Sequence, residues 1–407
     1  MIIVFISNSL NHHEKYLCDE LNSLSGVEFY FIQTIPLSEE RKRLGWSIDI
    51  TQTPYCICFY EERERCEYLI DKCDALIIGG APFEYYKRRL KEDKLSFFYC
   101  ESFFKQGYWH ILNPKTFLRV LEKYIIPSRN EKIQMLCASA FTAKDCSRIH
   151  AFKNRCFRWG HFIEVSTERT IEELMHDKQT KRESRGHVKV LWVGRFLQLK
   201  HPEMAIMVAK DLRNHSIEFE LEIVGTGPLE DKIKSMIDKF GLGDCVHLRG
   251  AMSPEEVRKE MGGSDIFLFT SDHNEGWGAV LGEAMSAGCA VVTSSVIGAT
   301  PFLVQNNING YIYNNTDYNQ FANCVLKLTK EPSTCIRLGT EALATMRQVW
   351  APSVAAKRFT SVVKNMLNNQ ALPVFSEGPM SNAPVISRQW FNSLPKSNTN
   401  SMISDNS

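Results

Sequence analysis

Four ionisable residues from the middle of the sequence onward, Arg195, Lys200, Glu275 and Glu283, stand among glycines in a pattern suited to holding phosphate and hydroxyl groups. The clearest stretch runs from Phe269 to Gly288. An apolar run ends at Phe269, a polar loop follows to Glu275, and Gly276 and Gly278 flank Trp277 before a segment that reads as a helix starting near Trp277 or Gly278. The first amides of a helix lack internal partners and sit at the positive end of its dipole, so an anionic phosphate fits there. Glycine removes the side chain where a ligand oxygen must approach the backbone. Glu275 falls just outside this helix and Glu283 about two turns inside it. Two carboxylates so placed can accept hydrogen bonds from hydroxyls on both sides of a bound phosphate, as sugars and riboses offer. A capped helix with Glu283 solvated on its surface is the plainer reading of the same residues.

A second cluster closes an earlier strand. In Val193-Gly194-Arg195-Phe196-Leu197-Gln198-Leu199-Lys200 an apolar run ends, and Pro202 opens the next helix. That puts two cations at the rim of a sheet, where open α/β sheets bind ligands and where a diphosphate would need them. Taken alone, they also read as ordinary surface charges. The Gly225-Thr226-Gly227 turn lacks the third glycine of a dinucleotide fingerprint and follows the wrong strand, so its glycines read as structural.

The elements that must position these residues are legible as alternating strands and helices. Strand-like runs open the chain at Met1–Ile6 and recur at Val27–Ile32, Tyr55–Tyr60, Ala75–Ile78, Leu95–Tyr99 and Gln134–Cys137. A second set follows at Val188–Val193, Glu218–Val224, Val246–Leu248, Ile266–Phe269 and Ala290–Thr293. Strands alternating with helical stretches predict parallel sheets covered on both faces, an α/β class. With 407 residues, two domains facing across a cleft are expected. The first is placed at residues 1–180 and the second at 187–350, with the boundary inside the polar stretch from Glu168 to His187. A helix at 351–368 follows, and residues 370–407, rich in Asn, Ser and Pro, are expected to be disordered.

Composition excludes several classes. A formal net charge of +1, with basic and acidic residues interleaved, argues against nucleic acid as a partner. Thirteen cysteines, scattered from Cys18 to Cys335, read as reduced thiols in a cytoplasmic protein. Cys56, Cys58, Cys66 and Cys73 fit no zinc spacing. The apolar opening stops at Ser7-Asn8-Ser9, short of a signal-peptide core, and no segment is long and apolar enough to span a bilayer. Contact with a membrane would therefore be peripheral, on the inner face of the cytoplasmic membrane. Residues 85–91 and Phe103-Phe104-Lys105 with Tyr108-Trp109 could meet anionic lipid, or form a charged solvated face over core aromatics.

The Glu275 to Glu283 spacing, the Gly276-Trp277-Gly278 between them and the Ala284-Met285-Ser286-Ala287-Gly288 that follows resemble the signature of the retaining glycosyltransferases of family four, which have the GT-B fold of two Rossmann-like domains. Gly194 to Lys200 resembles the segment in which that family's Arg and Lys hold the donor diphosphate, and Arg249-Gly250-Ala251-Met252 the one whose backbone faces the nucleotide base. The matches run in family order over residues 188–366. The resemblance implies catalytic roles for Arg195, Lys200 and Glu275. It implies donor binding by Gly194, Met252, Gly276, Trp277, Gly278, Ala279 and Glu283.

It further implies transfer of a hexosyl group from a nucleotide diphosphate sugar to a glycan or polyprenyl-linked glycan acceptor, with retention. No cofactor and no metal are expected, since the cations and the helix start would carry the charge and the chain lacks an Asp-x-Asp pair.

The first domain departs from the family. Where many members carry a glycine-rich loop and, after a later strand, a His on the donor sugar, this chain has Ser7 to His13 and, after Cys100, Glu101. His12, His13 and Glu101 are thus the acceptor-side candidates, although adjacent His residues at a helix start also read as a cap and a surface residue. Phe302 stands where members often place a Glu. Asn11-His12-His13, Ala138 to Ala143 and Trp159-Gly160-His161-Phe162 resemble a branch devoted to bacterial polysaccharide assembly. An epimerase of the same fold and a nucleotide-sugar-binding protein without turnover are the competing readings.

Overall fold

The structure, a computed structural model, describes residues 1–36, 48, 53–315 and 317–393. Seven strands form the first sheet: β1 (Ile2–Ser7), β2 (Glu28–Gln33), β3 (Cys56–Cys58), β4 (Ala75–Ile78), β5 (Ser96–Cys100), β6 (Ile133–Cys137) and β7 (Cys156–Arg158). Six form the second: β8 (Val188–Val193), β9 (Phe219–Val224), β10 (Val246–Gly250), β11 (Ile266–Phe269), β12 (Ala290–Ser294) and β13 (Tyr311–Tyr313). The spatial orders are β3-β2-β1-β4-β5-β6-β7 and β10-β9-β8-β11-β12-β13, and every pairing within them is parallel. This is the expected doubly wound α/β arrangement, twice. Central strands such as β4 and β11 are buried along their whole length, which is why they read as continuous apolar runs without alternation.

In each sheet the strand order reverses between two neighbours, β1 and β4 in the first, β8 and β11 in the second. Such a reversal splays the connecting loops apart at the carboxyl ends and leaves a crevice there. Both candidate clusters, after β1 and β5 and after β8 and β11, therefore sit where the topology makes room for a ligand.

Two expectations require correction. The polar stretch read as a domain boundary is largely a helix, Ile171–Arg185, opened by a capping box between Thr170 and Glu173 and stopped at Gly186 in the left-handed region. It packs on the second sheet's helices, and the Lys178 ammonium donates to the carbonyls of Met261 and Ala287, each at 3.0 Å. Its lack of apolar periodicity reflects a helix anchored by one buried Met175 and an inward-reaching lysine.

The second correction concerns the tail. Residues 370–393 are not disordered: Asn382 bridges Phe157 antiparallel to β7, and the Arg158 amide donates to Ser381 at 2.7 Å. The tail then crosses to the second domain, where Arg388 donates to the His273 carbonyl at 2.7 Å and the Trp390 indole to Ser295 at 2.9 Å. Backbone pairing to an edge strand and two side-chain anchors need no hydrophobic period, so composition concealed it. Residues 394–407, the rest of the expected tail, lie outside the described residues.

The helix Pro352–Leu367 leaves the second domain and packs on the first, with the Phe359 ring 4.9 Å from Phe97 and 5.7 Å from Trp159. Residues 85–91, expected either to meet lipid or to form a charged face over core aromatics, combine exposed Arg88 and Lys91 with a buried underside. Tyr86 and Leu90 are buried, and the buried Arg89 guanidinium donates to the backbone carbonyls of Ile70, Cys73 and Leu95. Among the described residues no helix is long and apolar enough to cross a membrane.

Candidate active site

The loop after β8 and the loop after β11 are locked together. The Trp192 indole donates to Thr270 Oγ1 at 2.8 Å, that hydroxyl donates to the Lys200 carbonyl at 2.6 Å, and the Asp272 amide donates to Leu199 at 2.8 Å. As a result the Lys200 ammonium pairs with the Glu275 carboxylate, both mostly shielded from solvent, and lies 5.9 Å over the Phe269 ring. Arg195 stays exposed at the same rim. Gly225 and Gly227, at φ +133 and +156, press on the backbone of Gly194 and Phe196, where a Cβ would fall 1.9 and 2.8 Å from backbone atoms. Their role is close strand-loop packing, as expected.

Gly278 caps the helix Ala279–Ser286 with φ +86, a conformation open to glycine, and the Phe269 ring fills the place its Cβ would take. Gly276 is pressed on its other side by the first domain: a Cβ there would lie 1.8 Å from Glu101 Oε2. Trp277 is 2 % exposed, its indole packed against Gly160 and 6.0 Å from the Trp350 ring. Its side chain serves the contact between domains and leaves only its backbone towards the cleft. Phe302, in the place of the family's Glu, stacks on Trp350 at 6.2 Å in the same contact. Met252 follows β10, at the outer strand of this edge, with β9 and β8 between it and β11.

Across the cleft the first domain presents His12 and His13 at the start of the helix His12–Ser23, capped by Asn11, whose Oδ1 accepts from the His13 amide at 2.9 Å. Their rings lie 3.8 Å apart, and the ligand atoms of His12, His13 and Glu283 all fall within 4.8 Å of one another. Burial, then Arg258 and His161, lower the His12 imidazole to about 4; burial and its His neighbours hold His13 well below its ordinary value. Both rings are therefore neutral near pH 7. Burial lifts the Glu283 carboxyl to about 7 against the opposing pull of Arg258. Among the described residues this trio is the one grouping of metal-ligating types so close, and the Arg258 cation facing it works against a bound cation.

Glu101 is the charged member of this side. Burial alone would raise its carboxyl, but the His161 hydrogen bond at 3.4 Å and the Lys105 ammonium outweigh it and hold the group at about 2. His161 is fixed in turn by Tyr99 OH at 2.9 Å from Nδ1. Beneath the His pair, Glu14 accepts from Ser7 Oγ at 3.2 Å and Asn11 Nδ2 at 2.9 Å, and burial pushes its carboxyl up to about 8.

The structure thus brings Lys200, Glu275, Gly276 and Glu101 to one locus and His12, His13 and Glu283 to an adjoining one. Sequence reasoning missed His161, Lys105 and Arg258 as site residues. For His161 a signal existed: it stands three residues past β7, after Gly160, whose missing side chain admits the Trp277 indole.

Residues 175–344 match the family model described as glycosyl transferases group 1. Over that part the chain is similar to group 1 glycosyl transferases. The amylovoran biosynthesis glycosyltransferase AmsK of Erwinia amylovora is 28% identical over 184 residues, 44% of this chain and 45% of AmsK. The provisionally named colanic acid biosynthesis glycosyltransferase WcaL of Escherichia coli is 28% identical over 135 residues, 32% of this chain and 33% of WcaL. These matches span between a third and a half of the relatives' own length.

The solved structure of Anabaena HepE with UDP superposes with a TM-score of 0.66 at 14% identity, covering 90% of this chain and 100% of HepE. A glycosyltransferase from Rickettsia africae gives 0.65 at 13% identity, covering 91% and 99%. At that identity the likeness speaks for fold. The two sheets and the helices around them are the GT-B fold.

Proposed function

We propose that this chain moves a hexosyl group from a nucleotide diphosphate sugar to a glycan or polyprenyl-linked glycan acceptor, with retention and without a metal ion, during bacterial polysaccharide assembly in the cytoplasm. The observation that carries the reading is the Lys200–Glu275 pair beside Gly276 and Gly278 at a helix start. A bound donor would exchange that pair for two better matched ones. Its diphosphate would take the Lys200 ammonium, with Arg195 and the helix amides, and its sugar hydroxyls would donate to Glu275. Glu283, one face further along the helix, would accept from the ribose. The relatives' printed names, in amylovoran and colanic acid biosynthesis, and the UDP complex of HepE support the substrate class.

Charge in this reaction grows on the departing diphosphate, where the second domain supplies its cations. Glu101, the ionised carboxylate opposite, is already engaged by His161 and Lys105, which favours a positioning role over attack on the sugar. The acceptor would then enter on the leaving group's face, and the leaving phosphate would take its proton.

The test is a donor screen with EDTA present: each common UDP-, GDP- and ADP-sugar, free nucleotide diphosphate as readout, and Arg195→Ala and Glu275→Ala alongside. Slow hydrolysis of one donor, lost in both variants, is expected. Turnover that requires an added divalent ion would overturn metal independence, conversion of one nucleotide sugar into another without release of free nucleotide diphosphate would point to an epimerase, and an inverted product anomer by NMR would exclude retention.

A further inference from the structure

We propose that the outer face of residues 108–126 docks the first domain on an anionic membrane surface. The segment leaves the cleft directly: β5 ends at Cys100, Glu101 and Lys105 form the cleft pair, and the chain then turns at Gly107 into Tyr108–Leu112 and the helix Pro114–Val120. Its inner side is satisfied, with Val120 and Tyr124 buried and Tyr124 stacked 5.0 Å from Phe103. Its outer side is not. Trp109 is 64% exposed, Leu112 81%, Leu118 54%, Ile126 48% and Phe117 44%. Single exposed apolar residues are ordinary, but five on one short segment form a patch of the kind that marks an interaction site.

Charge identifies the occupant. Residues 108–126 carry Lys115, Arg119 and Lys123 against one acid, Glu122, in a chain whose formal net charge is only +1. Lys115 and Arg119, which alternate with Phe117 and Leu118 on the outer side, have no ion-pair partner among the described residues. Interfacial Trp, aliphatic side chains that enter the acyl boundary and unpaired cations at headgroup level are the composition of a monotopic membrane contact. Of the stretches expected to meet lipid, this surface takes in Tyr108 and Trp109 and extends beyond them to Ile126, whereas Tyr86, Arg89 and Leu90 of residues 85–91 are buried. Docking there would set the mouth of the cleft against the bilayer, within reach of an acceptor carried on a lipid. That purpose rests on the transferase reading; the binding itself does not.

The experiment is co-sedimentation of the full chain with vesicles of phosphatidylcholine alone and of phosphatidylcholine with phosphatidylglycerol, comparing Leu112→Ser and the Lys115→Glu/Arg119→Glu pair. Binding to the anionic vesicles only, weakened about tenfold by each variant and by high salt, is the expected result. Donor hydrolysis in solution and melting temperature should stay at the parent's values, because these side chains touch neither the cleft nor the core. Equal partition of parent and variants, or no partition, overturns the proposal. So does a concentration-dependent dimer that Leu112→Ser abolishes without any vesicle binding, which would give the face to a second copy. Vesicle binding that persists while no donor turns over would sink the transferase reading and leave this one standing.

Discussion

The two sheet edges that face the cleft handle charge in opposite ways. On the second sheet, Lys200 and Glu275 form an ion pair beside a helix start. On the first, burial keeps His12 and His13 neutral and lifts Glu14 to about 8, and the one carboxylate held ionised, Glu101, has Lys105 and His161 assigned to it. An edge built to receive charge faces one built to withhold it. That division suits a reaction whose developing charge lies on a departing diphosphate, while the incoming group is a neutral hydroxyl.

The sharpest way to break the comparison is to remove charge from the receiving edge. Lys200→Ala and Glu275→Ala should each lower kcat/KM by roughly 10²–10³-fold in steady-state kinetics. Because the two act as one unit, the double variant should fall far short of the product of the single losses. His12→Ala should cost much less; if it cost as much as Glu275→Ala, the catalytic weight would lie on the first domain instead.

Next in size is the contact between edges. Gly276→Ala puts a Cβ where Glu101 Oε2 now stands, and that carboxylate cannot swing away cheaply while His161 and Lys105 hold it. We expect about a tenfold loss in turnover with an unchanged fold by circular dichroism. Glu101→Ala in the same background should return part of the rate if steric conflict is the cause, and none if the glycine backbone itself is needed.

The difference in legibility follows the same division. The second edge could be read because its candidate residues are close in sequence: Glu275, Gly276, Gly278 and Glu283 lie on one strand-loop-helix unit. The first edge is assembled from four distant segments, ending in Ser7, Cys100, Cys137 and Arg158. Nothing in the spacing of Glu101 and His161 shows that they meet, or that Gly160 beside them leaves room for a tryptophan from the other domain. The three-residue strand β7, too short to show a period, was missed for the same reason, and with it the tail that pairs on its edge.

A smaller effect separates Glu283 from Glu275. A carboxylate accepts from both ribose hydroxyls, whereas the protonated acid loses acceptor capacity. Since burial lifts Glu283 to about 7, donor KM should fall as pH rises through that value, by about tenfold between roughly pH 6 and pH 8. Initial-rate measurements at saturating acceptor would show it. Glu283→Gln should flatten the dependence, and a slope that survives this substitution would assign the titration to another group.

The last effect concerns stability and leaves turnover untouched. Glu14 has an ordinary carboxyl pKa in the unfolded chain and about 8 when folded, so between those values the native state binds the extra proton. Stability linked to this group is present in full at acid pH and is lost as pH rises towards and through 8, by about 2 kcal/mol between pH 6 and 8. Glu14→Gln keeps the geometry: its carbonyl can accept from Asn11 Nδ2 and its amide can donate to Ser7 Oγ, the two partners the acid has now. The variant should therefore match the parent near pH 5 and exceed it near pH 8 in chemical denaturation. The His pair runs the other way, losing stability as pH falls from its ordinary value towards 4. If the Gln variant were weaker at both pH values, the Ser7 and Asn11 contacts would need a carboxyl group, and the charge-withholding edge would owe its order to hydrogen bonding rather than to burial.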